Sequence, residues 1–213
     1  MTRTIPLFPL PGVVLLPGTL LPLHVFEPRY REMVEHALSH DRLIGMAMLK
    51  PGVDSDQGES PVHAIGGAGE IIESEKLDDG RYNILLEARF RYRILDETAS
   101  SPYRIARVEP LTSHPFATEE EAERTCELAS RVFAVVRPEV DLPPLPDEKL
   151  PPERLASELA LRLRYSPQEL QAILETNSLA SRFSALIGRM MEWEKRIEFL
   201  APFRPPGLDV TRN

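Results

Sequence analysis

The 213-residue chain has a single cysteine, a single tryptophan and no surplus of positive charge. Cys126, the lone thiol, excludes an internal disulfide and any thiolate-rich metal site, and agrees with a reducing compartment. Acidic residues outnumber basic ones by 33 to 25, spread almost evenly over residues 1–113 and 114–213, so neither half can neutralise a run of phosphates. Nucleic acid and anionic lipid are therefore disfavoured as partners. Long apolar runs are missing as well: Pro6, Pro9, Pro11 and Pro17 break up the amino terminus, and nothing approaches the roughly 20 apolar residues of a membrane span. The expectation is a cytoplasmic protein with no membrane partner.

Catalytic signatures are equally thin. No Gly-Lys-[Ser/Thr] closes a glycine-spaced loop, so nucleotide phosphates have no cradle. Gly67-Ala68-Gly69 precedes a β-prone run instead of a helix, which reads as a bulge or tight bend and not as a dinucleotide fingerprint. No serine occupies a Gly-x-Ser-x-Gly elbow, and Lys50, Lys76, Lys149 and Lys195 sit in turn-like or charged settings. His36 and His40 stand four apart with Glu32 one turn earlier, a spacing able to grip a divalent metal, yet a third ligand motif is missing. His40 is better placed to meet the last carbonyls of a helix. The apolar surroundings of Cys126 suit a buried thiol. The reading is a non-enzyme without cofactor, metal or catalytic residue.

What is present begins with Ile5-Pro6-Leu7-Phe8-Pro9-Leu10-Pro11-Gly12-Val13-Val14-Leu15-Leu16-Pro17-Gly18 and continues through Leu21-Pro22-Leu23-His24-Val25-Phe26-Glu27-Pro28-Arg29-Tyr30. Proline lacks an N–H and fixes φ, so these apolar runs predict brief edge strands, with type II turns at Pro11-Gly12 and Pro17-Gly18. Pro28 fits a first helical residue, and Tyr30, Met33, Val34 and Ala37 follow at helical spacing. Leu43–Leu49 reads as a buried strand and residues 52–61 as an exposed loop. Asp79-Gly80 marks a hairpin between two β runs. Beyond it Ala88, Phe90, Tyr92 and Ile94 alternate with Glu87, Arg89, Arg91 and Arg93, predicting one packed face and one wet, charged face. A further strand at Tyr103–Val108 completes a twisted β-barrel with one inserted helix.

Near residue 117 the period changes from two to that of a helix. Glu119–Arg137 is amphipathic through Ala122, Cys126, Ala129, Phe133 and Val136; six prolines then bar regular structure over Arg137–Pro152. Leu155, Leu159 and Leu163 mark another helix. Ser166-Pro167-Gln168-Glu169 is a capping signal for the next one. The last helix aligns Leu179, Phe183, Leu186, Met190, Trp193, Ile197 and Leu200 in one stripe, which a helical bundle would bury.

The opening ribbon, together with Ile65-Gly66, Asp79-Gly80-Arg81-Tyr82, Ile84-Leu85-Leu86 and Arg91-Tyr92-Arg93-Ile94, resembles the amino-terminal substrate-recognition domain of Lon proteases, also found in cereblon and in small stand-alone bacterial proteins. Ala88 stands where that family often has glycine. The resemblance spans roughly Thr4 to Leu200 and implies an α+β fold: a PUA-like β-barrel over residues 1–113, a helical bundle over 117–203 and a tail over 204–213. It also implies a non-catalytic module that binds unfolded or partly folded polypeptides, as a monomer or weak homo-oligomer, with no ATPase or protease of its own. Phe8, Leu10, Leu16 and Phe26, held on short proline-broken segments, are the candidate peptide-binding residues. An RNA-binding PUA-like protein and an enzyme of unrecognised type are the alternatives.

Overall fold

The computed structural model describes residues 1–51, 60–98, 102–147 and 149–200. Most of the expected 52–61 loop and all of the 204–213 tail fall outside them. In chain order the elements are strands β1 (Arg3–Leu10) and β2 (Leu20–Val25), helix α1 (Pro28–Leu38), strands β3 (Leu43–Met48), β4 (Ile65–Lys76), β5 (Tyr82–Thr98) and β6 (Arg104–Leu111), then helices α2 (Glu119–Glu139), α3 (Pro152–Arg162), α4 (Pro167–Glu175) and α5 (Leu179–Leu200). The result is a mixed α+β architecture with one six-stranded sheet.

The strand order is β2-β5-β4-β3-β1-β6, and β6 pairs again with β5. Five strands therefore form a closed circuit of pairings. Among the described residues β2 stands outside that circuit, attached to β5 alone.

The expectation of brief edge strands in the opening ribbon needs correcting for β1. This eight-residue strand lies between two neighbours, antiparallel to β6 over Arg3–Leu7 and parallel to β3 over Leu7–Leu10. It changes partner at Leu7, so Pro6 and Pro9 each sit in a stretch paired on one side only. A missing N–H is tolerable there. The turns are as expected, with Gly12 at φ 69° and Gly18 at φ 75°, values a type II turn requires and a Cβ disfavours.

Helix α1 begins at Pro28 and buries Tyr30, Met33, Val34 and Ala37 against Phe8, Leu15, Ile71, Ile84 and Leu86. Gly67 lets the ribbon close over the sheet: a Cβ at this position would lie 2.1 Å from the Leu15 carbonyl oxygen. The neighbouring register shift between Ala68 and Gly69 is the irregularity expected of the glycine cluster.

Helices α2 to α5 share a second core. Ala129, Phe133 and Val136 of α2 meet Leu155 and Leu159 of α3 and Phe183, Leu186 and Met190 of α5. The α5 stripe is thus used inside the molecule. Ser166 and Glu169 form the expected capping box at the start of α4. α2 runs two residues past its expected end, taking Pro138 into its last turn.

The wet face expected for Glu87, Arg89, Arg91 and Arg93 fails at Arg91, which is 1% exposed. The α4–α5 junction covers this position, and its carbonyls take the place of water. Arg91 donates to the Leu174 carbonyl at 2.9 Å, to Asn177 Oδ1 at 2.7 Å and to Ser113 Oγ at 3.1 Å. Arg182, also buried, donates to the Thr176 carbonyl and to the same Ser113 hydroxyl, and pairs with Glu153 at 3.3 Å. Burial, reinforced by Arg182 beside it, lowers the Arg91 pKa to about 10, so the guanidinium remains charged at neutral pH. This knot and Leu16, which belongs to the helical core, join the sheet to the helices.

Candidate functional site

The four apolar residues nominated from the sequence do not share a surface. Phe8, 5% exposed, packs at a tilt against Tyr30 with ring centroids 4.3 Å apart, inside the core beneath α1. Leu16, 1% exposed, is enclosed by the helical core. Neither is open to a guest, and their place among exposed contacts is corrected: the chain's own helices cover them. Leu10 is half-buried at the margin of the α1 core. Phe26 alone is open, at 62% exposure.

Phe26 closes a row of exposed side chains on β2. Along Leu20-Leu21-Pro22-Leu23-His24-Val25, exposure alternates: Leu20, Pro22 and His24 are exposed, Leu21 and Leu23 half-buried, and Val25 buried. The exposed face is continued by Phe26, whose ring lies 6.4 Å from that of His24. His24 in turn is fixed by Asn83 at 2.8 Å on Nδ1 and by Arg81 at 3.2 Å on Nε2.

The backbone of β2 is half-used. Ala88 donates its N–H to the Thr19 carbonyl at 2.9 Å, so Thr19 faces β5. Alternation in an antiparallel ladder then turns Leu21, Leu23 and Val25 toward β5 and Leu20, Pro22 and His24 outward. Pro22 sits where a strand edge tolerates proline, its absent donor facing away from the sheet. Among the described residues the outer edge keeps the N–H groups of Leu20 and His24 and the carbonyls of Leu20, Pro22 and His24 without a backbone partner. An uncharged, apolar edge strand with open hydrogen-bonding groups is a template for another chain.

The chemistry-bearing side chains are otherwise engaged. His36 Nδ1 meets the Tyr103 hydroxyl, His40 meets the His36 carbonyl at 2.8 Å, and the two rings touch edge to face. His40 thus serves the helix terminus, as its position suggested. Burial raises the pKa of the half-buried Cys126 thiol, which disfavours the nucleophilic thiolate. Among the described residues no group of three or more His, Cys, Asp or Glu could hold a metal ion, and no helix is long and apolar enough to cross a membrane.

Leu20 escaped the sequence reading, and Pro22 entered it only as one of the prolines that break the ribbon. The signal for them was an uncharged six-residue run with a proline at its centre.

Among solved structures, the Lon N-terminal domain protein from Xanthomonas campestris superposes with a TM-score of 0.65 at 20% identity, over 87% of this chain and 98% of that one. The N-terminal domain of the Mycobacterium avium complex Lon protease gives 0.66 at 16% identity, over 89% and 98%. These likenesses define the fold. Sequence relatives include Lon protease 2 of Bdellovibrio bacteriovorus, 30% identical over 84% of this chain, and the Lon protease of Escherichia coli, 28% identical over 91%. The chain spans about a quarter of the length of these relatives, 23% and 26% respectively. A family model described as the ATP-dependent protease La (LON) substrate-binding domain matches residues 4–192. The chain belongs to that family.

Proposed function

We propose that the chain is a non-catalytic recognition module that takes up unfolded or partly folded polypeptides by adding them as a strand to the outer edge of β2. The observation that carries this reading is the half-used backbone of an uncharged β2, with Leu20, Pro22 and Phe26 exposed along it. Strand addition draws affinity from main-chain hydrogen bonds and selectivity from alternate side chains, which suits a binder of many sequences. Membership of a substrate-binding family supports it, because a protease's substrates are polypeptides.

The finer architecture belongs to the same reading. The closed circuit of five strands with α1 inserted is a PUA-like barrel over residues 1–113, and α2 to α5 form the helical bundle of 117–203. With most of its α5 stripe occupied internally, the protein acts as a monomer or weak homo-oligomer, in the cytoplasm. RNA is disfavoured because carboxylates line the sheet face beside β2.

The test is binding of a fluorescently labelled unfolded casein. Replacing Leu20 and Phe26 together by alanine is expected to weaken the complex about tenfold, as loss of interface anchors does. Both side chains are exposed, so the melting temperature should stay within about 2 °C of the wild type. Unchanged affinity in a variant of unchanged stability would refute the assignment of this edge.

A further inference from the structure

The sheet face beside the β2 edge is apolar at its centre and acidic around it. Cross-strand register sets Leu20 beside Glu87 and Glu87 beside Glu70, Pro22 beside Leu85 and Leu85 beside Glu73, and His24 beside Asn83 and Asn83 beside Glu75. Ile72, partly exposed, lies at the register shift between Ile71 and Glu73. Four carboxylates share this face with two guanidiniums: Arg81, at the His24 end, which is paired with Asp79 at 2.6 Å, and a second one among the glutamates. That second guanidinium, Arg89, pairs with Glu70 at 2.9 Å and with Glu87 at 2.7 Å. Glu75 accepts a hydrogen bond from Asn83, which brings no charge, and Glu73 forms no ion pair among the described residues. The face keeps an excess of negative charge that nothing within the described structure neutralises.

Resting on the reading of β2 as a polypeptide-binding edge, we infer that the guest is basic as well as apolar: segments that interleave aliphatic or aromatic residues with lysine or arginine are taken up, and acidic segments are turned away. Alternation drives the selection. Every second side chain of a strand added to β2 points over the exposed face, where Leu20, Pro22 and Phe26 offer apolar contact. Seen from that guest, Glu87 on β5 lies two strand spacings away, about 10 Å, a gap that a lysine arm and the glutamate arm close between them. Glu70, Glu73 and Glu75 on β4 are one spacing further off and act through their field. That field extends about 8 Å at physiological ionic strength and about 30 Å at 0.01 M salt. It favours a cation and repels an anion.

The experiment uses the full chain and three synthetic peptides of equal length that alternate valine with lysine, with glutamate or with serine. At low salt the valine–lysine peptide is expected to bind about tenfold tighter than the valine–glutamate peptide, with the serine peptide between them. Raising the salt to about 1 M, where the field reaches only about 3 Å, should erase the order. Combining Glu73→Lys with Glu75→Lys should reverse it, and the salt series on the wild type decides the matter even if that variant folds poorly. Equal binding of the lysine and glutamate peptides at low salt would overturn the charge selection while leaving the edge as the binding site. Failure of all three to bind would overturn both. A sedimenting dimer that excludes the peptides and dissociates on Leu20→Lys would give the edge to a second copy and equally overturn the inference.

Discussion

Replacing Arg91 by alanine is expected to lower the free energy of unfolding by about 3–5 kcal/mol, because it orphans several buried acceptors at about 1–3 kcal/mol each. Arg91 holds four acceptors across the joint, the Leu174 and Thr176 carbonyls, Asn177 Oδ1 and Ser113 Oγ, and water cannot replace it in a position 1% exposed. Each orphaned acceptor carries its own desolvation cost. Lysine should not restore the loss, because one ammonium cannot reproduce a planar fork of donors. The Arg91→Ala and Arg182→Ala effects should fall short of additivity, since both guanidiniums converge on Ser113. Urea unfolding gives these numbers directly. A loss below about 1 kcal/mol, within the range of ordinary surface substitutions, would show that the knot does not hold sheet and helices together.

The second large effect is expected at Leu16. Leu16→Ala should cost about 2–5 kcal/mol, as truncation of a core leucine does, because its side chain is enclosed by the helical core. Binding of unfolded casein, measured well below the melting transition, should be unaffected. A stable Leu16→Ala protein that no longer binds would return Leu16 to the recognition surface and contradict the burial.

Leu16 also shows where the sequence stops being legible. Patterning reports that a residue needs an apolar partner, and it is silent on whether that partner is a guest or a helix more than a hundred residues later. Phe8 was misplaced for the same reason. At Arg91 the alternation of β5 was read correctly, but the face it defines is covered by the α4–α5 junction, a tertiary fact with no local trace. Proline in β1 announced a lost donor, which a strand can accommodate by changing partners at Leu7 as well as by lying at an edge. Where the cause is local the reading carries through. Pro28 starts α1, Ser166 and Glu169 cap α4, Gly12 and Gly18 adopt positive φ, and Leu179, Phe183, Leu186 and Met190 of the α5 stripe are buried. The candidate site was half legible. Phe26 was named, whereas Leu20 and Pro22 needed the strand order that leaves β2 outside the closed circuit.

The most direct test of the polypeptide-binding edge is amide hydrogen exchange of the ¹⁵N-labelled full chain, free and saturated with the valine–serine peptide. Leu20 and His24 carry the two N–H groups that the ladder turns outward, so a guest strand must protect them while Leu21, Leu23 and Val25, already bonded to β5, change little. The expected result is slowed exchange at Leu20 and His24, with the amides of α5 unmoved. Protection confined to the helices, or binding that leaves Leu20 and His24 exchanging as in the free protein, would contradict the account.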